Sequence, residues 1–119
     1  RLEPSSACLR MIGLEYYWAT QANPVGLFGW MFVLESLGGR IGGRVAAAID
    51  DALQLQGKGA RFLRGHAEAD AQHSEDLFRV IDANVRSEED QRALSRMARE
   101  SLDLYCSILD NASSARRAA

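Results

Sequence analysis

Residues 61–82 read RFLRGHAEADAQHSEDLFRVID, and the spacing within this stretch decides the fold class. Phe62, His66, Asp70, His73, Leu77 and Ile81 recur in steps of four, four, three, four and four. At about 100° per residue, such a row runs along one face of an α-helix. His66, Asp70 and His73 then fall within an arc of roughly 60°, and their apolar neighbours predict that all three point inward. Burying a carboxylate and two imidazoles without partners costs on the order of several kcal/mol. A divalent metal would offset that cost by accepting a lone pair from each. The competing reading is a salt-bridged or solvated face, since Glu68, Gln72, Glu75 and Asp76 make the helix polar as a whole.

Moving toward the N-terminus, GLFGWMFVLESLGG at 26–39 carries a single charge, Glu35. Phe28, Met31 and Phe32 lie on one side of it along the helix, and Gly38, Gly39 and Gly42 on the other. An acid among aromatic side chains needs a cation or a donor to stay ionised. That partner is either a metal or one of the arginines, the latter making a buried salt bridge. The glycines would leave open space beside the carboxylate. Each glycine costs a helix about 1 kcal/mol relative to alanine, so the run GGRIGG predicts either a kink or stop, or a close approach to the backbone. Taken together, Glu35, His66, Asp70 and His73 supply two carboxylates and two imidazoles, a set that suits iron or manganese better than a structural zinc site.

The rest of the chain is helical in pattern. Ser5 or Ser6 caps a helix running to about Gln21, and Asn23-Pro24 breaks it and starts a second from about Val25 to Leu55. Gln56-Gly57-Lys58-Gly59 reads as a loop before a third helix over about Ala60 to Ala83. Ser87 followed by Glu88, Glu89 and Asp90 is an N-cap with an acidic first turn. Beyond it Leu94, Met97, Ala98, Leu102, Tyr105 and Leu109 make one stripe expected to be buried. No segment alternates with a period of two, so the expected fold is all-α, a bundle of about four helices in a single domain spanning residues 1–119. Glu15 is expected to sit in a structural ion pair, and Tyr16, Tyr17, Trp18 and Trp30 to belong to the core or a pocket wall.

The 119 residues carry a net charge of −2 and scattered basic groups, clustered only at Arg116-Arg117. That gives no footprint for nucleic acid or an anionic membrane. Cys8 and Cys106 fit no metal-binding spacing and are expected to be reduced, buried thiols of a cytoplasmic protein. The apolar run Val25 to Leu34 is too short to span a bilayer. No Walker motif, nucleophile elbow or dinucleotide-binding glycine pattern is present.

GLFGWMFVLESLGG resembles a helix of the heme-oxygenase-like superfamily, and HAEADAQH resembles the H-x-x-x-D-x-x-H motif of its non-heme iron branch, the heme-oxygenase-like diiron oxidases. The separation of Glu35 from His66 is similar too, and the likeness extends over nearly the whole chain. The resemblance implies that Glu35, His66, Asp70 and His73 are iron ligands. It also implies an enzyme that activates dioxygen to oxidise a small organic substrate, with non-heme iron (one or two ions), or manganese, as cofactor. It further implies that the chain corresponds to the C-terminal half of the family fold, whose first half supplies another Glu and His. The chain begins at Arg1, as a processed or truncated piece would. A homo-oligomer or a partner subunit is expected to cover the exposed apolar face and complete the site. The alternative is a non-catalytic metal- or ligand-binding subunit with the same fold.

Overall fold

The computed structural model describes residues 3–117, with side chains at all of these except 67, 68, 71 and 112–117. The side chains of Glu68, Arg116 and Arg117 therefore lie outside the described residues. Four α-helices follow one another: α1 (Ser6–Thr20), α2 (Leu27–Leu53), α3 (Arg61–Asn84) and α4 (Glu88–Arg117). A single 3-10 turn, Pro24–Gly26, precedes α2. Among the described residues there is no strand, and the fold is all-α. None of these helices is long and apolar enough to cross a membrane.

The helices start where local chemistry starts them. Ser5 accepts the Cys8 N–H at 3.3 Å and caps α1. Asn23 caps the 3-10 turn by accepting from Val25 N, and its amide donates to Asp90 Oδ1 at 2.8 Å. Ser87 accepts the Asp90 N–H at 3.0 Å while its hydroxyl donates to Asp90 Oδ2 at 2.7 Å, a reciprocal cap at the start of α4. The donors on Asn23 and Ser87 hold the Asp90 carboxyl below its ordinary range.

Contacts divide the chain into two compact units: residues up to Trp30 together with those from Val85 onward, and Met31–Asn84. In the first, Trp18, Ala93 and Met97 form a buried centre, with Leu14, Ala22, Leu27 and Trp30 packed around it. Burying an aromatic side chain of this size is worth about 3 kcal/mol or more. The buried row of α4 is Ala93, Met97 and Ser101, turned from the expected stripe, and Leu102 and Leu109 are exposed. The shift has a steric cause. Gly29, in the first turn of α2, meets the α4 backbone so closely that a Cβ there would strike the Leu94 carbonyl oxygen. Cys106 is exposed rather than buried, since it falls opposite Met97 on α4. Cys8 is half-buried, and Tyr16 is exposed. Glu15 makes no ion pair among the described residues; burial without a partner pushes its carboxyl up.

The second unit is an antiparallel hairpin of α2 and α3. The GGRIGG run does not end α2, which stays helical to Leu53. Gln54 and Gln56 then take left-handed backbone angles and turn the chain. A polar clasp holds the turn: Asp50 Oδ1 accepts the Gly57 N–H at 2.8 Å, and Arg64 donates to the Gly57 carbonyl at 2.9 Å while pairing with Asp50 at 3.4 Å. Toward the other end, Phe32 and Phe78 meet edge to face, with ring centroids 5.6 Å apart. Ala46, Ala60, Leu77 and Asp70 are buried. Phe62 and His66, expected to point inward, are exposed.

Candidate metal centre

Three of the four residues singled out from the sequence come together between α2 and α3. Glu35 projects from α2, and Asp70 and His73 project from α3 three residues apart. One potential ligand atom from each lies within 4.8 Å of the others. His73 Nδ1 stands 3.2 Å from Glu35 Oε2 and 3.7 Å from Asp70 Oδ1. The register of the hairpin produces this meeting. Moving three residues forward on α2, from 35 to 38, and three back on α3, from 73 to 70, keeps the partners level, as antiparallel helices require.

Asp70 is the most enclosed of the three, with its side chain 7% exposed, whereas that of His73 is 56% exposed. The carboxylate reaches its position because Gly38 has no side chain. A Cβ at Gly38 would overlap Asp70 Oδ2 and come within 2.8 Å of its Cγ. This close approach is the reason for the first glycine of the GGRIGG run. The sequence signals that some such approach exists; only the pairing of the two helices reveals Asp70 as its occupant.

His66 lies outside the cluster. Its ring is exposed and stacks on Phe62 with centroids 3.9 Å apart, and its Nδ1 is 3.0 Å from the Phe62 carbonyl oxygen. When Nδ1 carries the hydrogen and donates to that carbonyl, Nε2 keeps its lone pair free toward solvent. The arginine alternative for Glu35 finds no support, because its partner in the structure is His73. The grooves of the first unit are of another kind. They run along α4, where Arg92 pairs with Glu88, and Arg96 pairs with Glu100 and lies over the ring of Trp18.

The donor set fits iron. Ligand atoms about 2.1 Å from one ion stand roughly 3 to 4 Å apart, the spacing seen around His73. Two carboxylates and one imidazole are hard and intermediate donors of the kind that ferrous iron and manganese accept. Without a cation, the neighbour of the buried Asp70 carboxylate is the imidazole of His73, 3.7 Å away.

No curated protein and no solved structure matches the chain. A family model described as iron-containing redox enzyme matches residues 2–106. The match runs from before α1 into α4 and includes Glu35, Asp70 and His73, so this all-helical chain belongs to the iron-containing redox enzyme family, within the heme-oxygenase-like superfamily.

Proposed function

We propose that the protein is an O₂-dependent oxidase or oxygenase of the non-heme iron type, acting on a small organic substrate, with Glu35, Asp70 and His73 as iron ligands. The observation that carries this reading is the convergence of these three donors within 4.8 Å of one another, in a chain of an iron-containing redox family. Glu35 and Asp70 would supply two negative charges and His73 a neutral nitrogen. When bound, ferrous iron would supply one-electron chemistry that activates dioxygen, the remaining electrons coming from the organic substrate as it is oxidised. The protein's own part is to hold the donors in place. Gly38 admits the Asp70 carboxylate, and the Phe32–Phe78 pair packs α2 against α3 one helical turn from Glu35. His66 is the other imidazole on the same helix. As a fourth ligand, or as a ligand to a second iron in a dinuclear centre, it would have to leave its stack on Phe62.

Anaerobic loading with Fe(II) followed by metal analysis tests the proposal. About one iron per chain is expected, with loss of most of it in His73→Ala and oxygen uptake when candidate substrates are supplied. Less than about half an iron per chain in the parent protein, or no loss in His73→Ala, would sink it.

A second reading, a non-catalytic metal- or ligand-binding subunit, draws on the count of donors. Three converge in the chain, and His73 stays more than half exposed. Under that reading a partner subunit or a second copy completes the site, covering exposed apolar side chains of α2 and α3 such as Val45, Phe62 and Val80. Iron binding with oxygen uptake at background favours this reading over the first.

A further inference from the structure

We infer that Gly38 is a positioning residue of the metal centre: the missing side chain at 38 orients the Asp70 carboxylate so that one oxygen rests against α2 and the other is presented to the site. This rests on the reading of Glu35, Asp70 and His73 as iron ligands and extends it to a residue that carries no donor atom.

Asp70 Oδ2 lies against the α2 backbone at Gly38, so close that even a methyl group there would overlap it. With Oδ2 held on that side, Oδ1 is the oxygen that faces His73, 3.7 Å from Nδ1. Asp70 is therefore offered as a one-oxygen ligand with a fixed direction. The side chain is 7% exposed, so it has little freedom to turn elsewhere. Gly38 stands three residues, about one turn, beyond Glu35 on the same helix. One segment of α2 thus supplies a donor and also sets the direction of the opposing donor. Alanine at 38 pushes the carboxylate away from α2, rotates Oδ1 away from its line to His73, and changes the ligand field as well as the affinity.

The experiment uses the full chain and two metals. Fe(II) affinity is measured anaerobically by equilibrium dialysis, and the visible absorption of the Co(II)-loaded protein reports ligand geometry. Gly38→Ala is compared with Gly39→Ala, the neighbouring exposed position, and both are placed in the parent and in an Asp70→Ala background. Gly38→Ala is expected to weaken Fe(II) binding at least ten-fold and to shift the Co(II) bands, while Gly39→Ala stays within two-fold with unchanged bands. In the Asp70→Ala background, the effect of Gly38→Ala on thermal unfolding is expected to vanish. Parent-like affinity and Co(II) bands in Gly38→Ala would overturn the inference. If Gly38→Ala fails to fold, the Asp70→Ala background decides: a folded double variant upholds the contact, and an equally unfolded one overturns it. A parent protein that binds neither metal defeats the ligand reading itself. In that case the same background comparison still shows whether Gly38 seats Asp70.

Discussion

Asp70 and Glu15 are both acids withdrawn from water, and they meet that situation differently. Asp70 has the imidazole of His73 close by and a glycine that makes room for it. Glu15, half-buried on α1, has no ion-pair partner among the described residues, and burial raises its carboxyl from the ordinary value of 4.5. A carboxyl whose folded-state pKa lies above its unfolded value costs stability once it ionises, and that cost disappears as pH falls through the folded-state value. Glu15→Gln is therefore expected to raise the thermal unfolding midpoint at pH 7. The gain should shrink as the pH falls from 7 toward 4.5. Equal midpoints at pH 7 would show that Glu15 is solvated well enough to ionise freely. Its apolar setting is visible in the sequence, but whether a cation reaches it depends on how α1 packs, and so the expected ion pair did not follow.

At the scale of elements, two glycines in helices predict opposite outcomes. A Cβ on Gly13 of α1 would meet nothing within 4 Å, whereas one on Gly29 of α2 would strike the α4 backbone. Gly13→Ala is expected to stabilise the protein by up to about 1 kcal/mol through helix propensity. Gly29→Ala is expected to destabilise it by roughly 1–3 kcal/mol through overpacking. Urea unfolding of the two variants measures both, and a stability gain in Gly29→Ala would mean that α2 and α4 are not in such close contact. The helices themselves were legible to within a residue or two at most ends, because Ser5, Asn23-Pro24 and Ser87 signal their starts. The buried row of α4 was less so. Periodicity alone favours the large apolar residues Leu102 and Leu109, but close approach selects the small ones, Ala93 and Ser101, on either side of Met97.

For the molecule as a whole, the chain belongs to an iron-containing redox enzyme family, and the proposed ligand set would tie iron to folding. A ligand that binds only the folded state adds about 2.7 kcal/mol at a hundred-fold excess over its Kd. Thermal unfolding under anaerobic Fe(II) is thus expected to shift upward by several degrees, with the shift reversed by a chelator and absent in His73→Ala. An unchanged midpoint in the parent protein would contradict the proposed centre. Glu35, Asp70 and His73 could be picked out from the sequence because rare charges in apolar helices, or histidines on one helical face, stand out there. The exposed ring of His66 could not be foreseen. Its orientation depends on a stacking partner, Phe62, and on a backbone carbonyl one turn away, neither of which periodicity describes.

The α2–α3 hairpin is fastened at two places, Asp50 with Arg64 near the turn and Glu35 with His73 farther along, separated by 15 residues on α2 and nine on α3. The two fastenings act like two teeth of a zip, which engage together only if both legs keep their pitch. Lengthening the turn at Lys58 by one residue leaves both teeth aligned, and iron binding should survive it. One residue added to α2 near Val45 advances one tooth by about 100° relative to the other, so the chain can close the clasp or assemble the centre, but not both. Iron content of these two insertion variants, compared with the parent, reads out that difference in phase.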